Sequence, residues 1–456
     1  MADTRHFDVV VIGGGSGLTA AYHAERDGKS VALVDAQPEA LGGTCVNFGC
    51  LPTKGLIQSA RIVNALRAGP VHGVHVTPSD IWVDFPRIAA RVREERARRA
   101  SGARSYVEGS LFPFYGRARF VDEKTLEMDD GRRLSGDRVF IAAGARAAVP
   151  PVAGIEDVPY HTNESILELS ARPDRLIILG GGYIGCEFAH FFEAMGTQVV
   201  LVDRAACLLR EDDEVRDLVT TELGKKLRLI TQATAQRAYA DGRGLALDLD
   251  TKDGPTTVRG DALLLAAGRR SNAETLDASR TGVELDEAGW VRVDDQLRTT
   301  HPDIFAFGDV IGTEMYKHTS SYEGELAYRN AFGAAHKVSY RSNPHAVFTD
   351  PEIGAVGLTE RACREQGIPY RAGKVDYASI AKGQIVGSPP GFAKLLVEDG
   401  TERILGCHIA GPQAAELVHE VVVAMNAEAA GVDLVRRSIH THPTLSELVH
   451  AVFVRA

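Results

Sequence analysis

An α/β fold followed by an α+β segment is the architecture this sequence predicts, and three observations carry the prediction. An apolar, β-branched run, Phe7–Ile12, feeds straight into Gly13-Gly14-Gly15-Ser16-Gly17. The same arrangement returns where Arg175–Leu179 leads into Gly180-Gly181-Gly182-Tyr183-Ile184-Gly185. From about Pro344 the texture changes to strand signals alternating around helices, with no glycine fingerprint. At 456 residues the chain is too long for one core. It divides into 1–150 with a return segment at 276–343, a second unit at 151–275, and a third at 344–456.

In the first unit, Gly13, Gly15, Ser16 and Gly17 open a helical stretch that runs through Arg26. A tight glycine turn there brings backbone N–H groups and the positive helix end onto a pyrophosphate. The next strand, Ser30–Val34, ends on Asp35, about twenty residues past the glycines, where a carboxylate takes ribose hydroxyls. A glycine fingerprint alone is weak evidence, but strand, helix, strand and acid around it make a Rossmann-like dinucleotide site. In the second unit, a helix to Met195 and a strand, Gln198–Val202, close on Asp203 and Arg204. Two such sites imply two cofactors, and electrons passing between them explain the pairing.

Within the first unit, shortly past Asp35, stands Gly42-Gly43-Thr44-Cys45-Val46-Asn47-Phe48-Gly49-Cys50-Leu51-Pro52-Thr53-Lys54. Cysteines five apart do not stack on a regular helix, but a distorted first turn brings their Cα atoms to the ~5.5 Å a disulfide needs. Alone, such a pair is more often two unrelated thiols or half a metal site. Beside a nucleotide site it reads as redox hardware. Phe85–Arg104 follows as a long helix with a solvated, charged face, and Pro150-Pro151 as a linker. Apolar strands ending in Ala142-Ala143-Gly144 and in Ala266-Ala267-Gly268 let loops pass close to a nucleotide. Thr300–Asp309 sets Asp309 behind an apolar strand and Gly308, well placed for sugar-like hydroxyls. In the last unit, strands at Ala346–Phe348, Phe392–Val397 and Ile404–Ile409 accompany a helix from Ala414 to Glu428. The chain closes with His440-Thr441-His442-Pro443-Thr444-Leu445-Ser446-Glu447, where His442 is held extended before proline and Glu447 can turn back to orient its ring.

A net charge of −10 argues against nucleic acid and anionic membrane as partners. Cysteines at 45, 50, 186, 207, 363 and 407 are too sparse for a secreted disulfide framework. No run approaches the ~20 apolar residues of a membrane span, and the opening residues lack a secretion signal. A cytoplasmic protein without a metal site is expected.

Together these pieces resemble the FAD-dependent pyridine nucleotide-disulfide oxidoreductases, the family of dihydrolipoamide dehydrogenase, glutathione reductase and mercuric reductase. The likeness spans essentially the whole chain, in GGTCVNFGCLPTK, both glycine fingerprints, TTHPDIFAFGD and HTHPTLSE. It implies FAD on the first glycine loop, with Asp35 at the adenosine ribose, Gly43, Thr44, Ala143 and Gly144 close by, and Gly308 and Asp309 near the ribityl chain and pyrophosphate. It implies NAD(P)H on Gly180, Gly182, Ile184, Gly185 and Gly268, with Tyr183 as an aromatic gate and Asp203 and Arg204 at the ribose. Lys54 and Glu187 would pair beside the flavin. Cys45 and Cys50 would form the redox disulfide, Cys50 nearer the ring and Cys45 the exchange nucleophile. His442, oriented by Glu447, would serve as acid–base partner from the other subunit of a homodimer, making 344–456 a dimerisation domain.

Among members, dihydrolipoamide dehydrogenase is most similar, through HTHPTLSE and Gly406–Pro412, with a dithiol, disulfide or lipoyl group as substrate. Mercuric reductase is disfavoured by a closing Phe453-Val454-Arg455-Ala456 without cysteines, and glutathione reductase by Thr53. A transhydrogenase or flavin oxidase would not need the two cysteines. Asp203 should repel a 2′-phosphate and favour NAD, whereas Arg204 and Arg210 would welcome that phosphate.

Overall fold

The computed structural model describes residues 4–77, 80–242, 244–427 and 431–456; Glu428, the expected end of one helix, lies outside them. Strand Thr4–Ile12 sits mid-sheet because Val9, Val10 and Val11 are buried on both of its faces, as parallel strands require. It pairs in parallel with Val31–Asp35 on one side and Arg133–Ile141 on the other. Phe112–Tyr115 extends the first edge, and Ile304–Ala306 joins the second from the far part of the chain. Ile12, Val34, Ile141 and Ala306 share one row. The loops opening at Gly13, Asp35, Ala142 and Phe307 therefore leave the same carboxyl end of the sheet, where α/β folds bind ligands.

The second sheet repeats the plan. Arg175–Leu179 lies between Gln198–Val202 and Ala262–Leu265, with Arg228–Ile230 outside, all parallel. Its row Leu179, Val202, Leu265 delivers Gly180, Asp203 and Ala266 to one end. Two short antiparallel strands, Ala145–Ala147 and Arg269–Ser271, bracket the second sheet in the sequence and pair with each other. An antiparallel sheet of Ala233–Asp241, Gly244–Thr251 and Gly254–Gly260 covers one face, an element the sequence reading did not anticipate.

Beyond residue 343, five antiparallel strands run in the order Pro344–Val347, Ile353–Gly357, Ile404–Ala410, Phe392–Glu398, Tyr370–Asp376. Helices Ala414–Asn426 and Ser446–Arg455 bury the apolar face. The opposite face carries one row, His345, Ala355, His408, Lys394 and Lys374. That row meets the acidic run Glu211–Glu214, with His345 at 2.9 Å from Glu211, Lys394 at 3.0 Å from Asp212 and Lys374 at 2.5 Å from Glu214. Helix Cys50–Ala68 packs against Tyr183–Ala194 in a shared core that includes Leu56, Ala60, Phe188 and Phe191. No helix among the described residues is long and apolar enough to cross a membrane.

Candidate functional site

Both glycine loops and both thiols open onto one cavity of about 2320 Å³ between the first two sheets. Of the site residues expected from the sequence, Gly17, Gly185, His442 and Glu447 do not line it; the others do. Gly17 lies behind the loop, where a Cβ would stand 2.7 Å from Val11 Cγ1, so its smallness serves helix-on-strand packing.

The two loops are built alike. A Cβ on Gly13 would sit 2.3 Å from the Ala142 carbonyl oxygen, and one on Gly180 would sit 2.3 Å from that of Ala266. Asp35 accepts from the Gly14 and Gln37 N–H groups at 2.6 and 2.7 Å; Asp203 accepts from those of Gly181 and Ala205 at 2.5 and 2.6 Å. Each cradle thus keeps its backbone bare and fixes a carboxylate beside it, the donor and acceptor set a pyrophosphate and a ribose would need. The residues present fit two dinucleotides.

The thiol loop is pressed against the first cradle. Gly43, at φ +68°, lies so near Gly15 that a Cβ would fall 2.6 Å from the Gly15 Cα. Asn47, buried, donates to the carbonyls of Ala40, Leu41 and Gly43 and holds the loop in that contact. Cys45 sits in the short helix Gly43–Asn47 and Cys50 begins the helix Cys50–Ala68, with a break at Phe48-Gly49 between them. The break replaces the distorted first turn expected from the spacing. It brings the thiols within hydrogen-bonding reach, both free.

Their titrations diverge. Cys50 is held down to about 7 by the hydrogen bond from Cys45, with further help from the Lys54 ammonium and its place at a helix N-terminus. Cys45, as donor in that bond and half-buried, is pushed well up. The first proton the reduced pair gives up therefore leaves its charge on Cys50.

Lys54 Nζ donates to both oxygens of Glu187 at 2.8 and 2.7 Å. Glu187 is buried, takes a third bond from the Phe348 N–H at 3.1 Å, and leaves Lys54 4.6 Å over the Phe348 ring. His442 Nδ1 lies 2.9 Å from Glu447, whose other oxygen accepts from the Thr444 N–H at 3.0 Å. That bond to His442 holds the Glu447 carboxyl below its usual range. The imidazole is exposed, away from the thiols of its own chain.

Several residues lining the cavity or buried directly behind its lining carried no local signal. Glu323 accepts from the Gly308 N–H at 2.7 Å and from Tyr340 at 2.6 Å, and burial pushes its carboxyl up to about 7. Arg269 faces Asp309 at 3.4 Å. Tyr316 donates to the Tyr183 hydroxyl at 2.8 Å. Among the described residues no group of three or more His, Cys, Asp or Glu is placed to hold a metal, so the thiol pair lacks further ligands.

Comparison with known proteins agrees with this geometry. The profile described as pyridine nucleotide-disulphide oxidoreductase matches residues 7–330, and that of the corresponding dimerisation domain matches residues 343–452. Mycothione reductase of Mycobacterium tuberculosis is 34% identical over 97% of this chain and 98% of its own length. Dihydrolipoyl dehydrogenase 1, mitochondrial, of Arabidopsis thaliana is 32% identical over 96% of this chain and 88% of its own. The Cu(II) complex of the HOCl-induced flavoprotein disulfide reductase RclA from Escherichia coli superposes with a TM-score of 0.87 at 28% identity, covering 99% of each chain.

Proposed function

Since this chain belongs to the pyridine nucleotide-disulphide oxidoreductase family, whose members use FAD and NAD(P)H, we propose that it reduces a small disulfide through Cys45 and Cys50. The observation that carries this reading is the meeting of two dinucleotide cradles and a polarised thiol pair in one cavity. The net reaction is RSSR + NAD(P)H + H⁺ → 2 RSH + NAD(P)⁺. Cys45, relieved of its proton by His442, attacks one substrate sulfur and expels the first thiolate, which His442 protonates. Cys50 then attacks Cys45, closes the Cys45–Cys50 disulfide and expels the second thiolate, which takes up the proton of the net reaction. FAD, bound on the first cradle, supplies the two-electron relay that reopens it from the nicotinamide. Lys54, fixed by Glu187, keeps a cation beside Cys50 and the flavin.

His442 and Glu447 belong to a C-terminal region, 344–456, that we read as a dimerisation domain, so His442 of the partner subunit completes the site. A small soluble disulfide such as mycothione is the first reading, supported by full-length similarity to mycothione reductase. Dihydrolipoamide is the second, supported by HTHPTLSE and the Gly406–Pro412 segment. Asp203 favours NADH. Arg204 and Arg210 line the same region, however, and neither has a carboxylate partner among the described residues. Steady-state turnover with NADH and with NADPH against mycothione, lipoamide, glutathione disulfide and Hg(II), and of dihydrolipoamide with NAD⁺, tests the proposal. Disulfide turnover that survives Cys45→Ser would refute it.

A further inference from the structure

Tyr183 lines the shared cavity beside Gly182 of the second cradle, opening the helix Tyr183–Ala194, and it is 36% exposed. Its hydroxyl accepts from Tyr316 at 2.8 Å. Tyr316 is itself clamped. Its ring lies nearly parallel to His318 on one contact, 5.6 Å and 7°, and to His345 on another, 5.5 Å and 11°. Both imidazoles are anchored elsewhere, His318 to the Pro344 carbonyl at 2.7 Å and His345 to both oxygens of buried Glu211 at 3.0 and 2.9 Å. The donor phenol is thus fixed by three separate parts of the chain, the helix Lys317–Ala331, the strand Pro344–Val347 and the acidic run at Glu211. The acceptor, on a fourth, makes ring contacts with Tyr316 and His345 and, among the described residues, no other side-chain hydrogen bond.

We propose that Tyr316 is a latch, a positioning residue that holds Tyr183 across the nicotinamide end of the second cradle until the cofactor displaces it. This rests on the assignment of NAD(P)H to Gly180–Gly185. A ligand that binds only the unlatched state has its affinity reduced by the fraction of time the latch is closed. Breaking one neutral hydrogen bond shifts that equilibrium by about fivefold. Because Phe at 316 keeps the stack with both imidazoles, only the donor is lost.

The test is calorimetric titration of the FAD-loaded protein with NAD⁺, NADP⁺ and ADP-ribose, with KM and kcat for the preferred reduced nucleotide measured alongside. Tyr316→Phe should tighten the nicotinamide dinucleotide about fivefold, leave ADP-ribose unchanged because it has no nicotinamide to admit, and lower KM with kcat preserved. Tyr183→Phe should shift dinucleotide affinity in the same direction, and the double variant should gain nothing over either single one, since each breaks the same bond. Unchanged dinucleotide affinity in Tyr316→Phe, an equal change for ADP-ribose, or additive gains in the double variant would overturn the latch alone. Wild-type protein that binds none of the three nucleotides would instead overturn the cofactor assignment, and the latch with it.

Discussion

Replacing Lys54 with methionine removes the ammonium paired with buried Glu187 and isolates what that charge does for Cys50. Two influences change together: the cation that favours the Cys50 thiolate disappears, and the Glu187 carboxylate, which opposes it, is left without its partner. A charge beside a titrating group moves its pKa by roughly 1–3 units. Because the Lys54 side chain is 33% exposed and so partly screened, the lower end applies, about one unit upward from about 7. At pH 7 the thiolate fraction then falls from about half to about a tenth, and alkylation slows about fivefold. The assay is iodoacetamide labelling of the reduced holoenzyme from pH 5.5 to 9, with Cys45 and Cys50 resolved by tandem mass spectrometry. Lys54→Arg, which keeps the charge, should stay close to wild type. If Lys54→Met alkylates Cys50 with the wild-type pH midpoint, the charge argument fails, whatever happens to turnover.

Three further outcomes follow from other parts of the structure. His442→Ala should lose roughly 10²–10⁴ in disulfide turnover. Refolded mixtures of His442→Ala with Cys45→Ser should recover about a quarter of wild-type activity, because half the dimers are mixed and each has one intact site; no recovery would place the histidine in its own subunit. Lys394 is 3% exposed and bonded to Asp212, Glu214 and Glu360, so Lys394→Met strands a buried carboxylate. It should cost about 3–5 kcal/mol in urea unfolding, and a loss under ~1 kcal/mol would contradict that. His190 is buried, its Nδ1 has no partner among the described residues, and burial drives its pKa down to about 4. Its neutral form supports folding above about 6.5, and that support is lost as pH falls toward 4, about 2 kcal/mol by pH 5. The urea midpoint of His190→Gln should therefore fall less between pH 7 and 5 than that of wild type.

What the sequence disclosed depended on how far apart in the chain the cooperating residues stand. Arg175–Leu179 and Gln198–Val202 are apolar runs bounded by glycine or acid, and the strands end where those signals do. Glu447 is five residues past His442, so one turn of chain suffices to read that contact. Ile353–Gly357 and Tyr370–Asp376 escaped because their glycines and weak alternation suppress the period-two signal. The Lys54–Glu187 pair spans 133 residues and was accessible only through family resemblance; the packing of Cys50–Ala68 on Tyr183–Ala194 is its physical cause. Tyr316, His345 and Glu211 had neither route. Each looks ordinary in its own segment, and they meet only because the start of the helix Lys317–Ala331, the strand Pro344–Val347 and the acidic run at Glu211 converge. Chemistry placed on one loop is legible from spacing, whereas control over that chemistry is written in contacts between distant segments. Residues that tune access to the second cradle therefore belong to the part of the site that only the fold reveals.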